Sequence, residues 1–87
     1  MKADKEKVTK LLKTARGQIE GSLKMVEDDR YCIDISNQLL ATEAIIRKAN
    51  KEVLHAHMKC CVHDAVNSGK EDEKIDEIIA IIDKLSK

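Results

Sequence analysis

Apolar residues recur along this chain in three stretches, each with the period of an α-helix. Within Lys5 to Glu27, Val8, Leu11, Leu12, Ala15, Ile19, Leu23 and Val26 stand three and four positions apart, the mark of an amphipathic helix. Asp28-Asp29-Arg30-Tyr31 interrupts the pattern and is short enough to join two antiparallel helices. From about Cys32 to Val66 there is no Gly and no Pro, and Ile35, Leu39, Leu40, Ile45, Ile46, Val53, Leu54, Met58 and Val62 keep the helical period. This predicts one helix of about 35 residues, on the order of 50 Å long at about 1.5 Å per residue. Asn67-Ser68-Gly69 is a stop signal, with Gly suited to a helix C-cap. A third helix is predicted from Glu71 to Leu85, with Ile75, Ile78, Ile79, Ile81, Ile82 and Leu85 on a broad apolar face. Glu71, Asp72 and Glu73 fill its first turn, favourable at the positive end of the helix dipole.

Composition supports an all-α fold and adds a difficulty. The 87 residues include no Pro, Trp or Phe and one Tyr, so both the usual strand formers and the largest apolar side chains are scarce. One domain spanning 1–87 is expected. A helix on the order of 50 Å is too long for a compact monomer of this size, and a short chain without aromatics buries little. Small domains of this kind need disulfides, metals or oligomer contacts, so a homo-oligomer is expected. Gly17 and Gly21 share a face of the first helix. Each costs about 1 kcal/mol relative to Ala in a helix interior, and close approach of a neighbouring helix is the expected compensation; plainly tolerated glycines are the alternative.

Net charge is zero but unevenly spread. Residues 1–24 carry seven bases and three acids, whereas residues 64–87 carry four bases and seven acids. A basic end of this kind fits either a solvated helix face or a surface for polyanions. The three cysteines cannot all pair within one chain. No signal-peptide pattern and no long apolar run is evident, so a cytoplasmic protein with reduced thiols and no membrane association is expected.

In that setting Cys near His reads as metal-binding or reactive. His57 and Cys61 are four apart on the long helix, which puts both on one face about a turn apart. Taken alone, the pair also fits a structural role. Cys32 lies 25 residues before His57, roughly 37 Å away along a continuous helix. One chain cannot close such a site. Two copies packed antiparallel about a two-fold near residue 45 can, and they create two equivalent sites. A Cys–His–Cys set without a fourth ligand suits Cu(I), since closed zinc sites normally take four ligands. Cys60 is turned about 100° from Cys61 and should point elsewhere. His55 and His63 lie nearby as well and are expected to be exposed or to stand beside the ligands rather than bind the metal.

Three runs now bear on family. Gly17-Gln18-Ile19-Glu20-Gly21, the segment from Met25 to Ile35, and His57-Met58-Lys59-Cys60-Cys61-Val62 resemble the CsoR/RcnR family of metal-sensing transcriptional repressors, over about Lys10 to Ile82. The resemblance implies three-helix protomers with one long central helix, paired as antiparallel dimers that assemble into homotetramers. It implies operator DNA bound without inducer and released with it. In the copper branch the inducer is Cu(I), held at the positions of Cys32, His57 and Cys61. Tyr31 and Glu77 match positions beside the ligands that are linked to the response. Lys10, Lys13, Arg16, Arg47 and Lys48 match the basic surface of helices 1 and 2. Thr14 and Glu20 stand where the copper sensors often carry Arg. No His precedes residue 55, unlike the nickel and cobalt sensors; Cys61 is not the Glu of formaldehyde sensors, and His57 is absent from persulfide sensors.

Three function classes follow. The first is a Cu(I)-responsive repressor. The second is a repressor of the same family that senses persulfide or thiol redox state through Cys32 and Cys61. The third is a helical oligomerisation module with incidental thiols. An enzyme is not expected, because no third orienting group or oxyanion site accompanies Cys and His.

Overall fold

Asp4 starts the first helix: its carboxylate accepts from the backbone N–H of Glu6 at 3.0 Å and of Lys7 at 3.4 Å, satisfying donors that the first turn leaves free. The computed structural model describes residues 1–85, in which α1 (Lys5–Glu27), α2 (Cys32–Ser68) and α3 (Glu71–Leu85) follow one another. No strand occurs among the described residues. At the end of α1, Asp29 turns into the left-handed region at φ 54°, and the N–H of Arg30 returns to the carbonyl of Met25 at 3.0 Å. The chain thereby reverses into α2 within four residues. At the other end of α2, Gly69 adopts φ 75° and its N–H reaches the carbonyl of Ala65, the αL cap that glycine permits. The apolar period predicts a stop near Val66; Asn67 and Ser68 remain helical because only Gly69 changes hand.

α1 lies antiparallel on α2. Lys7 meets Glu52 at 3.0 Å near one end, and the hydroxyl of Thr42 donates to Gln18 Oε1 at 3.1 Å nearer the other. The buried line of α1 is Val8, Ala15 and Ser22, and that of α2 includes Thr42 and Ala49. These are small side chains seven residues apart, the repeat with which two helices keep one seam together. A Cβ on Gly17 or Gly21 would meet nothing within 4 Å, so no helix of the same chain makes the close approach expected there. α3 folds back along the C-terminal part of α2, where Glu77 reaches His57.

The molecule measures 57 × 28 × 12 Å. The short dimension is that of a single helix with its side chains, about 10–12 Å. Its radius of gyration is 17.5 Å, whereas a compact chain of this length has roughly 12 Å. A single layer has no inside, and no large side chain is fully buried among the described residues. Leu12, Leu23, Leu39, Leu40, Ile46 and Ile79 are all exposed. No helix among the described residues is long and apolar enough to cross a membrane.

Candidate metal centre

The uninterrupted turn of α2 between residues 57 and 61 brings a ring nitrogen and a thiol together. Cys61 Sγ lies 3.4 Å from His57 Nε2 and 3.7 Å from Nδ1. From α3, Glu77 Oε1 stands 2.8 Å from His57 Nε2, and Lys74 Nζ donates to Glu77 Oε2 at 3.1 Å. Hydrogen bonds from His57 and Lys74, with the Lys74 charge, hold the Glu77 carboxyl below its ordinary range. The hydrogen bond to Glu77 and its charge push the Lys74 ammonium up. An ionised carboxylate only accepts, so Nε2–H donates to Glu77, and in the neutral ring Nδ1 is then the nitrogen that carries the lone pair, facing Cys61 Sγ. Orientation of a ligand His by a carboxylate on its other nitrogen is the usual support of a metal site.

The donor set fits a soft or borderline ion. Two donors bonded at about 2.0 Å (N) and about 2.3 Å (S) to one ion stand about 3.5 Å apart at a tetrahedral angle and about 3.7 Å apart at a trigonal one. Nδ1 and Sγ are 3.7 Å apart. Among the described residues, one chain gathers no group of three His, Cys, Asp or Glu side chains that could hold a metal. Cys32 opens α2 and is exposed, 25 residues from His57 on the same rod. At about 100° per residue, Cys32, His57 and Cys61 nevertheless fall within a sector of roughly 40° on one face of α2. Tyr31 precedes Cys32 at the same far end and is exposed. Of the residues singled out from the sequence, the chain thus joins His57, Cys61 and Glu77 and keeps Tyr31 and Cys32 apart from them. Lys74 was missed; its three-residue spacing to Glu77 on a helix is the signal that points to it.

The other candidates point elsewhere. Cys60 Sγ lies 3.9 Å from Asp64 Oδ2, and His63 Nε2 lies 3.4 Å from Asn67 Nδ2. His55 is exposed. Lys10, Lys13, Arg16, Arg47 and Lys48 are all exposed on α1 and α2. Arg47 pairs with Glu43 at 2.9 Å and Lys10 with Glu6 at 3.8 Å, surface contacts of the kind worth about 0–1 kcal/mol.

The family model described as metal-sensitive transcriptional repressor matches residues 4–84. The chain belongs to this family. Its members are regulators, not catalysts. The copper-sensing transcriptional repressor CsoR of Mycobacterium ulcerans is 43% identical over 68 residues, 78% of this chain and 58% of that protein. CsoR of Bacillus subtilis is 37% identical over 84 residues, 97% of this chain and 83% of that protein. The chain therefore spans less than two thirds of the Mycobacterium ulcerans relative's length. Among solved structures, the copper-sensing repressor CsoR with Cu(I) from Geobacillus thermodenitrificans NG80-2 aligns with a TM-score of 0.84 and 38% identity, over 94% of this chain and 85% of that one. The nickel-responsive transcriptional regulator InrS aligns equally well, TM-score 0.84, at 23% identity, over 97% of this chain and 94% of that one, and shares the all-α fold.

Proposed function

We propose that this member of the family is a Cu(I)-responsive repressor that holds operator DNA when metal-free and releases it when Cu(I) binds. The observation that carries the reading is the pair His57 and Cys61, with Nδ1 and Sγ 3.7 Å apart and the ring oriented by Glu77 from a different helix. Thiolate and imidazole suit Cu(I). Bound Cu(I) supplies a soft cation that favours those deprotonated donors over their protonated forms. His57 and Cys61 would hold it together with Cys32 of a second copy.

The second copy is supported by shape. Leu39, Ile46 and Val53 recur every seven residues between Cys32 and His57, on the same side of α2 as the three ligands, and Leu39 and Ile46 are exposed. A seam of that period suits a paired helix. A two-fold through its middle sets each Cys32 beside the other chain's His57 and Cys61 and covers apolar surface that one layer leaves open. Such dimers would assemble further into tetramers. The whole chain acts as one domain in this reading, in the cytoplasm, where thiols stay reduced.

For DNA, Lys10, Lys13, Arg16, Arg47 and Lys48 supply exposed positive charge toward phosphates, giving affinity and salt dependence more than base readout. Release requires that metal favour the conformation that binds DNA poorly. The route runs through Glu77, since whatever fixes His57 also fixes α3. Tyr31 would join the site from the second copy beside Cys32.

Anaerobic Cu(I) titration with operator binding followed in parallel tests the reading. The expected result is one Cu(I) per chain with DNA release, a tenfold loss of operator affinity corresponding to about 1.4 kcal/mol of coupling. Retention of DNA at full Cu(I) loading would sink it. His57→Ala separates the thiol-sensing alternative: loss of the copper response with an intact persulfide response would favour that alternative.

A further inference from the structure

α3 packs on α2 with only part of its apolar face, through the half-buried Ile78 and Ile81. Ile75 and Ile79 are each 52% exposed, and Ile82 is 51% exposed. Its polar tie to α2 is correspondingly important, and that tie has two arms. Glu77 uses Oε1 for His57 Nε2 at 2.8 Å and Oε2 for Lys74 Nζ at 3.1 Å. A carboxylate held at one oxygen still rotates about its terminal bond, whose torsion is broad. Held at both, it presents Oε1 to the imidazole in one orientation. Lys74 is itself only one third exposed on its side chain, so it is partly packed at the site.

We propose that Lys74 is the positioning residue of this centre: by holding Oε2 of Glu77 it keeps the His57 proton on Nε2, leaves Nδ1 free for metal, and registers α3 on the ligand face of α2. The inference rests on the metal-sensing reading and deepens it by naming what transmits the ligand state to α3. Charge supports it. Two thiolates, Cu(I) and a neutral imidazole leave the centre with one net negative charge, and Glu77 adds a second beside it. The Lys74 ammonium, 3.1 Å from Glu77 Oε2, offsets that second charge. Lys74 touches no ligand atom at hydrogen-bond distance, so its effect passes through Glu77.

The test uses the full-length protein and the variants Lys74→Met and Lys74→Arg. In metal-free protein, ¹⁵N spectra of the neutral His57 ring should show the Nε2–H tautomer in the wild type and Lys74→Arg, and a mixture of tautomers in Lys74→Met. With Cu(I), Lys74→Met should lose about tenfold of the ratio between metal-free and metal-loaded operator affinity, while its metal-free operator affinity stays within about twofold of wild type. Lys74→Arg should restore the ratio. A wild-type tautomer and release ratio in Lys74→Met, or a Lys74→Arg variant as defective as Lys74→Met, would overturn the proposal. A wild-type protein that keeps its DNA under Cu(I) overturns the metal reading instead, and the metal-free ring spectra then decide the role of Lys74 alone.

Discussion

Glu77 joins two helices with one carboxylate, and its protonation therefore decides whether α3 is tied to α2. Its folded pKa lies below the ordinary 4.5, chiefly through the hydrogen bonds from His57 and Lys74. A group depressed in the folded state contributes stability that is present above its unfolded pKa and lost as pH falls through the folded one. The tie should thus hold through neutral and mildly acidic solution and fail only below pH 4.5. Amide-exchange protection factors of α3, measured against pH, check this: protection should fall in that acidic window, and Glu77→Gln should remove the pH step while lowering protection throughout. A second residue-scale prediction concerns Asp29, which sits at φ 54°. Asp tolerates the left-handed region better than most residues, whereas a β-branched side chain is a true outlier there. Asp29→Val should destabilise by about 1–2 kcal/mol in urea unfolding, whereas Asp29→Gly should change little, because relief of the Cβ contact is offset by greater unfolded-state freedom.

Between elements, the α1–α2 seam is made of small residues around one polar pair. Thr42 is 5% exposed, and its hydroxyl lies 3.1 Å from Gln18 Oε1 and 3.0 Å from the Gln38 carbonyl. Thr42→Val preserves shape but leaves the Gln18 carbonyl oxygen without its donor, so a loss of about 1 kcal/mol in unfolding free energy is expected. Thr42→Ser keeps the hydroxyl and should lose less. Gln18 stands two residues from Arg16, so this pair also sets how the basic side of α1 is rotated. The elements themselves were legible in the sequence because their signals are local. Period, an acidic first turn and a glycine stop mark the three helices, and only the end of α2 shifted, since Asn and Ser do not break a helix as the left-handed Gly69 does. The pairing of His57 with Cys61 was legible for the same reason. That His57 meets Glu77 depended on resemblance, because contacts across a turn carry no period, whereas the three-residue spacing of Lys74 and Glu77 is a common surface pairing on helices and does not by itself mark a site. Gly17 and Gly21 face open space within one chain, so the close approach expected at these glycines is not made by the chain's own helices, and spacing alone cannot say whether a neighbour belongs to the same molecule.

At the scale of the whole molecule, a layer 57 Å long and one helix thick carries one part of a site at the start of α2, at Cys32, and the other in its C-terminal half, at His57 and Cys61. The prediction that belongs to this scale is complementation. A Cys32→Ser chain keeps His57 and Cys61 but lacks the thiol for its partner; a Cys61→Ser chain keeps the thiol but lacks the other half. In a dimer whose two sites are each shared between chains, neither homodimer holds an intact site, and the mixed dimer holds one intact site and one with both thiols missing. After unfolding and refolding together at equal amounts, random pairing makes about half the dimers mixed, so tight Cu(I) binding should return to roughly one quarter of the wild-type capacity. Each variant refolded alone should stay near zero. If the ligands of one site all came from one chain, every chain in the mixture would still lack a thiol and mixing would restore nothing. The two arrangements therefore differ by an appearance of binding against none. A competition titration with a chromogenic Cu(I) chelator reads that difference directly, independently of DNA. Recovery near one quarter would also require an antiparallel pairing, because a parallel pair sets Cys32 beside Cys32 and leaves both ends incomplete.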